Sequence, residues 1–239
     1  VLLVEPYTTS SGTPSYRPVV FHAGGIAWYG NYLYVVHTTV GMRVFDVRRF
    51  LKVKTGDKSI VGWSAKNNAY MGHNYAYVLP QVNLYSLCKT CCARFSFVGL
   101  DRTAQPPRLI TGEYAVTSYN GRLIRWLLDA ATGRLQATDN LVQSPFAYFA
   151  GVRRMQGGLS IGKEVWISSS DKYPGTSSIA SLYRYTGLGA KVTLRKLPRV
   201  PEDLSYHKAE GGLWTLTEVP KKRYVWSMPE ATLPSAGCK

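Results

Sequence analysis

Several residues in this chain are of types, and at spacings, that do chemistry. His22 stands in Val20-Phe21-His22-Ala23-Gly24-Gly25-Ile26, between a buried-looking strand and a glycine pair that lets a backbone or ligand approach closely. Imidazole is the usual group for proton transfer near neutral pH, so His22 is the leading acid/base candidate; the bland alternative is a core histidine bonded to a carbonyl. Asn67-Asn68 is an amide pair able to hydrogen-bond a substrate carboxylate and to stabilise charge developing on it, although asparagine pairs also make plain turns. Gly158-Leu159-Ser160-Ile161-Gly162 fits the GxSxG pattern of hydrolase nucleophiles, and Asp203 and His207 follow in a suitable chain order. That motif needs a strand, a sharp turn and a helix, whereas residues 163–170 read on as strand. Glu202-Asp203 offers two carboxylates for hydrolysis, but neighbours on a strand point to opposite faces, so at most one serves a site.

Charge narrows the partner. The 239 residues carry 29 Lys and Arg against 14 Asp and Glu, a formal net charge of +15, so a polyanion is the first expectation. Arg48-Arg49, Arg153-Arg154 and Lys221-Lys222-Arg223 would singly be solvated surface and together suggest a basic face. Nucleic acid is disfavoured, because no RNP motif, GXXG loop, zinc finger or basic helix is present. No apolar run approaches the roughly 20 residues of a membrane-spanning helix. Cys88, Cys91 and Cys92 cluster and Cys238 lies near the C-terminus, which reads as structural disulfides of open pairing rather than a metal site. With Val1 rather than Met at the start, this suggests a mature, secreted, extracellular chain. No cofactor is implied, and a monomer is expected.

The elements that must position these residues are strands. Stretches rich in Tyr, Val, Ile and Trp alternate with Gly, Pro, Asn and Ser clusters, and 13% of the chain is aromatic. The hydrophobic share of 45% is enough for a sizeable core, with no linker dividing residues 1–239 into two domains. GNYLYVV at 30–36 matches HNYAYVL at 73–79 apart from the first residue, and similar units recur at 113–128, 164–185 and 212–228. About five units roughly 45 residues apart point to an all-β fold, a β-propeller of five blades, with a β-sandwich as the alternative. On that reading, loops at 21–25, 64–69, 148–154 and 202–208 lead into the innermost strands and share one concave face. They would bring His22, Lys66, Asn67, Asn68, Tyr148, Arg153, Arg154, Tyr206, His207 and Lys208 together, with His37, Lys172 and Tyr173 added from the loops between second and third strands.

The runs HAGGIAWYGNYLYVV and GMRVFDVRRF, with PEDLSYHKAEGGLWTLTE and KKRYVWSM, resemble a group of secreted bacterial propeller-like proteins that includes small hyaluronate lyases. The resemblance covers about the first quarter and last sixth of the chain. It implies eliminative cleavage of hyaluronan, which needs a group to neutralise the uronate carboxylate, a base for the proton beside it, and an acid for the leaving oxygen. Asn67, Asn68 or Arg153 suit the first role, His22 the second, and Tyr148 or Tyr206 the third. Two other readings compete: a non-catalytic propeller lectin for anionic glycans, and an esterase or lipase using Ser160. The entering loops differ strongly from one another, which favours one unique site over repeated lectin sites.

Overall fold

The computed structural model describes residues 1–87, 93–139, 141–144, 146–170, 180–186, 191–198, 200–229 and 232, with the side chains of 186 and 191–196 left aside. The four cysteines, Lys172 and Tyr173 lie outside these residues. Among the described residues every regular element is a strand except one 3₁₀ turn at Lys208–Glu210. No described helix is long and apolar enough to cross a membrane.

The chain opens with β1 (Leu2–Thr8) and β2 (Pro14–Pro18), then runs through β3 (Ala23–Tyr29), β4 (Tyr32–His37) and β5 (Gly41–Asp46). A short β6 (Leu51–Lys52), a hairpin of β7 (Val61–Ser64) and β8 (Ala69–Gly72), and a long β9 (Tyr77–Ser86) follow. β9 pairs antiparallel with β5 and parallel with β1, so the first sheet has the order β2-β1-β9-β5-β4-β3, with β6 also on β9. Three antiparallel meanders complete the chain. They are β10 (Phe95–Asp101) to β13 (Phe146–Phe149) through β11 (Arg108–Glu113) and β12 (Arg122–Leu127), then β14 (Met155–Ile161) to β17 (Lys191–Leu197) through β15 (Glu164–Ser170) and β16 (Ala180–Thr186), then β18 (Pro201–His207), β19 (Gly212–Thr217) and β20 (Val225–Pro229).

Alternation of side chains explains why these stretches are strands: Tyr32, Tyr34 and Val36 on β4 and Met42 and Val44 on β5 turn to one core, while Val35 and Phe45 turn to another. The expected second repeat does not stand as a unit of its own. His73 and Asn74 form a left-handed turn after β8, at φ 52° and 64°, and the matching strand β9 joins the first sheet by pairing with β5. The likeness of 30–36 to 73–79 reports a shared hairpin-and-strand pattern rather than a repeated sheet.

The first strands of four sheets pack side by side, β3 on β10, β10 on β14 and β14 on β18, and their common direction defines the axis of the molecule. Three of the spaces between sheets are filled. Tyr34, Val44, Phe95 and Leu109 fill the first, Phe97, Met155, Val165 and Ile167 the second, and Trp166, Leu182, Leu204 and Leu213 the third. No such core is present among the described residues between the fourth sheet and the first, where the contact is a hydrogen bond of 3.2 Å from the Ile26 amide to Asp203 Oδ2. At the axis the strands approach so closely that a Cβ on Gly99 would lie 1.8 Å from the Gly158 carbonyl oxygen, and one on Gly25 would lie 2.8 Å from the Val98 nitrogen. Gly99→Ala is therefore expected to lower stability by about 2–3 kcal/mol or to prevent folding. Gly162→Ala, at φ 60° with nothing nearby, loses only about 1 kcal/mol to left-handed strain. Chemical denaturation of both variants measures the difference.

Candidate functional site

Each of the four axial strands carries a one-residue bulge near its start. Register against the second strand slips between Ala23 and Gly25, Phe95 and Phe97, Met155 and Gly157, and Pro201 and Leu204. A bulge re-aims a side chain that regular alternation would send to a sheet face. The residues outside the regular register are Gly24, Ser96, Gln156 and the pair Glu202-Asp203, which stands opposite the single residue Leu216, and they cluster at the upper end of the axis, where the strands begin. The Ser96 hydroxyl donates to the Met155 carbonyl and lies 3.4 Å from Gln156 Oε1, and Gln156 Nε2 donates to Glu202 Oε1 at 3.3 Å. The Glu202 carbonyl accepts from Ser168 Oγ at 3.0 Å and Thr215 Oγ1 at 3.3 Å, which holds the bulge in place. Burial, with the neighbouring carboxylates of Glu218 and Asp203, pushes the Glu202 carboxyl up to about 8. Burial also raises Asp203 to about 8, against the opposing hydrogen bonds from the Ile26 and Leu204 amides.

Cations ring this mouth. Arg94 precedes β10, Arg153 and Arg154 precede β14, and Lys221, Lys222 and Arg223 lie in the loop from β19 to β20, whose Arg223 Nε donates to the Glu218 carbonyl at 3.0 Å. The Arg153 guanidinium sits 4.8 Å above the exposed Tyr119 ring, and its carbonyl accepts from Ser169 Oγ. A side hollow of about 360 Å³ opens between Arg94, Glu113, Tyr114, Asn120, Arg122 and Phe149. There burial would raise Glu113, but hydrogen bonds and charge from Arg122 outweigh it and hold the carboxylate below its usual range, in a pair of 2.6 Å. His22 is exposed at the same end, just ahead of β3. His37 stacks on Phe21 with ring centroids 5.0 Å apart, and burial, then the charges of Arg43 and His22, lower its pKa.

The residues expected to share one face are thus divided. His22, His37, Arg153 and Arg154 are at the upper mouth. Lys66, Asn67 and Asn68 are in the turn between β7 and β8, where Asn67 Nδ2 donates to Ser64 Oγ and Asn68 takes φ 45°. That hairpin packs on β2 through the 3.0 Å bond from the Trp63 amide to Ser15 Oγ and the stacking of Tyr70 on Tyr16, away from the axis. Tyr148 is on β13, the outer strand of its sheet, under the Arg125 guanidinium, with its phenol raised by burial. Residues 202–207 are strand rather than loop, so Tyr206, His207 and Lys208 fall at the lower end, with His207 Nδ1 3.7 Å from Glu210. Ser160 is buried within β14 and its Oγ has no hydrogen-bond partner among the described residues, so none of them stands as a base to it. The glycines of its motif serve packing: Gly158 gives room to the Phe97 ring and Gly162 makes the hairpin turn.

The sequence reading missed Ser96 and Gln156 and set Glu202 aside. All three follow the first residue of an axial strand, but a bulge leaves no mark in a pattern of alternation.

No family model matches the chain, and no curated protein matches it. Among solved structures it is similar to a luciferin-regenerating enzyme, with 12% identity over 95% of this chain and 66% of that one and a TM-score of 0.48. It is also similar to Chaetomium thermophilum Sqt1 bound to the N-terminus of the ribosomal protein L10, with 10% identity over 97% and 62% and a TM-score of 0.42. A computationally designed protein, Ika4, aligns over 87% and 92% at 8% identity and a TM-score of 0.36.

Both raised carboxyls make stability depend on pH. Folded values near 8 stand above unfolded ones near 4, so the folded state holds the extra protons and its advantage is complete at low pH. Stability is expected to fall as pH rises from about 4 to about 8 and then to level off. Glu202→Gln should flatten part of that slope in melting temperatures measured across the range.

Proposed function

We propose that this chain is an extracellular polysaccharide lyase that cleaves an acidic, uronate-bearing polymer of the hyaluronan type at the upper mouth of a four-bladed propeller. The propeller reading takes the four sheets as blades with β3, β10, β14 and β18 innermost. It is supported by their packing around one axis, whereas a sandwich would stack two sheets face to face. Four blades, rather than the five expected from spacing, follow from β9 belonging to the first sheet.

The observation that carries the functional reading is Glu202, a carboxyl raised to about 8 and bonded to Gln156 beneath a ring of arginines and lysines. Near neutral pH it holds its proton, so it does not repel a polyanion and is ready to donate. In the elimination, His22 takes the proton on the carbon beside the uronate carboxylate. The electron pair left behind forms the new carbon–carbon double bond, the bond to the glycosidic oxygen breaks, and that oxygen takes the Glu202 proton. Arg153, Arg154 and the Gln156 amide suit the carboxylate, which carries more charge in the transition state than in the ground state. This assignment replaces Asn67, Asn68, Tyr148 and Tyr206 with residues of one mouth. The net charge of +15 serves to gather the polymer.

The purified protein should raise the ultraviolet absorbance of unsaturated uronate when mixed with hyaluronan, and Glu202→Gln should slow that rise by roughly 100-fold or more. Falling viscosity without absorbance would indicate hydrolysis through Glu202 instead. No change with hyaluronan, chondroitin or heparin-type chains would refute catalysis on this class.

A further inference from the structure

Between the first and fourth sheets, where no apolar core is present among the described residues, lies a cleft of about 1180 Å³ whose lining runs from Asp203 and Val225 at the upper side to Arg102 and Lys208 at the lower end. Its walls are the apolar faces of two sheets that elsewhere in the molecule would be covered: Ile26, Trp28 and Leu33 from one side, Trp214, Leu216 and Val225 from the other. Trp28 is 57% exposed and Val225 70%. Such a contiguous apolar surface on a single chain marks a binding site.

Where the axial strands finish, the lining changes character. Arg102 and Lys208 stand at this end of the cleft, and neither forms an ion pair among the described residues. One Arg102 Nη donates to the Trp28 carbonyl at 3.0 Å and the guanidinium lies 5.6 Å over Tyr29, which fixes its position beside the opening. Ser160, 3% exposed and with an unpartnered hydroxyl, lies one residue before the end of β14 and lines the same end. A buried hydroxyl without a partner is destabilising unless something accepts its hydrogen bond.

We propose that this cleft binds a single-chain amphiphile with an anionic head, of the long-chain fatty-acid class, taken up as the free monomer. The carboxylate lies at the lower end against Arg102, Lys208 and the Ser160 hydroxyl, and the alkyl chain runs between the two sheets past Ile26, Trp28, Leu216 and Val225. A neutral apolar ligand would leave the serine and both cations unanswered, and a small anion would leave the apolar walls wet.

Trp28 and Trp214 make the site self-reporting. Brominated stearate, a heavy-atom quencher, is titrated into the full chain below its critical micelle concentration while tryptophan fluorescence is followed, with binding confirmed by displacement with oleate. Saturable one-to-one quenching is expected. Shortening the competing acid should weaken it roughly fourfold per methylene, and the corresponding long-chain alcohol should bind at least tenfold more weakly than the acid. Val225→Asp and Arg102→Gln alter exposed side chains and should each weaken binding tenfold or more, while leaving the melting transition and any polysaccharide cleavage unchanged. Absence of saturable quenching, equal binding of acid and alcohol, or association only with anionic vesicles would each overturn the proposal. None of these outcomes bears on the reaction at the upper mouth.

Discussion

The rest of the structure depends on backbone meeting backbone at the axis. Gly99 lies against the Gly158 carbonyl, Gly157 against Glu202 and Leu204, and Gly25 against Val98 and the Asp203 carboxyl, each too close for a Cβ. The first strands of four sheets can pack this near only where side chains are absent, and a side chain at any of these points would push neighbouring sheets apart. The large residues are displaced outward, into the wedges between sheets, where Phe97, Met155 and Trp166 are fully or almost fully buried. Close packing at the axis and apolar filling of the wedges are therefore one arrangement seen at two radii.

Such a centre has no room for regular strands to present side chains along the axis, and the bulges supply what function can use. By adding one residue at the start of β10, β14 and β18, the fold turns Ser96, Gln156 and Glu202 into a hydrogen-bonded row. In the first strand the same position is Gly24, whose Cβ would lie 2.9 Å from the Ser96 carbonyl, so nothing larger fits there. A carboxyl in that setting loses water and sits beside other acids, and both effects favour its neutral form. The cations of the rim are set out on the loops, where they shape the field felt by an approaching anion.

The spaces between the sheets are also filled unequally. Three of the spaces between sheets are filled by Leu, Ile, Val and aromatic side chains, whereas between the fourth sheet and the first no such core is present among the described residues and the Ile26 amide donates to Asp203. The two ends of the molecule consequently differ in chemistry: the upper end carries Arg94, Arg153, Arg154 and the loop with Lys221, Lys222 and Arg223, and the cleft between the fourth and first sheets is largely apolar, with Arg102 and Lys208 at its lower end.

Much of this was legible in the chain itself. Strand class followed from short β-branched and aromatic runs cut by turn residues, because a half-buried pleated surface selects those side chains locally. The polyanion expectation followed from charge, which needs no fold, and His22, Arg153 and Arg154 fell at the mouth because each lies just ahead of an axial strand that glycine or hydrophobic pattern marks. What sequence could not decide was which strand pairs with which. The segment at 73–79 looks like a second copy of 30–36, but β9 finds its hydrogen bonds on β5 and β1, across a separation no local pattern encodes. Likewise Asn67 and Asn68 looked like ligands and are a turn on an outlying hairpin, whereas Gln156 looked like an ordinary polar residue and is turned to the axis by a bulge. Local composition sets the kind of element, since propensity and alternation act over a few residues. The gathering of Ser96, Gln156 and Glu202, and the raising of one carboxyl among them, arises only when distant strands exclude water together.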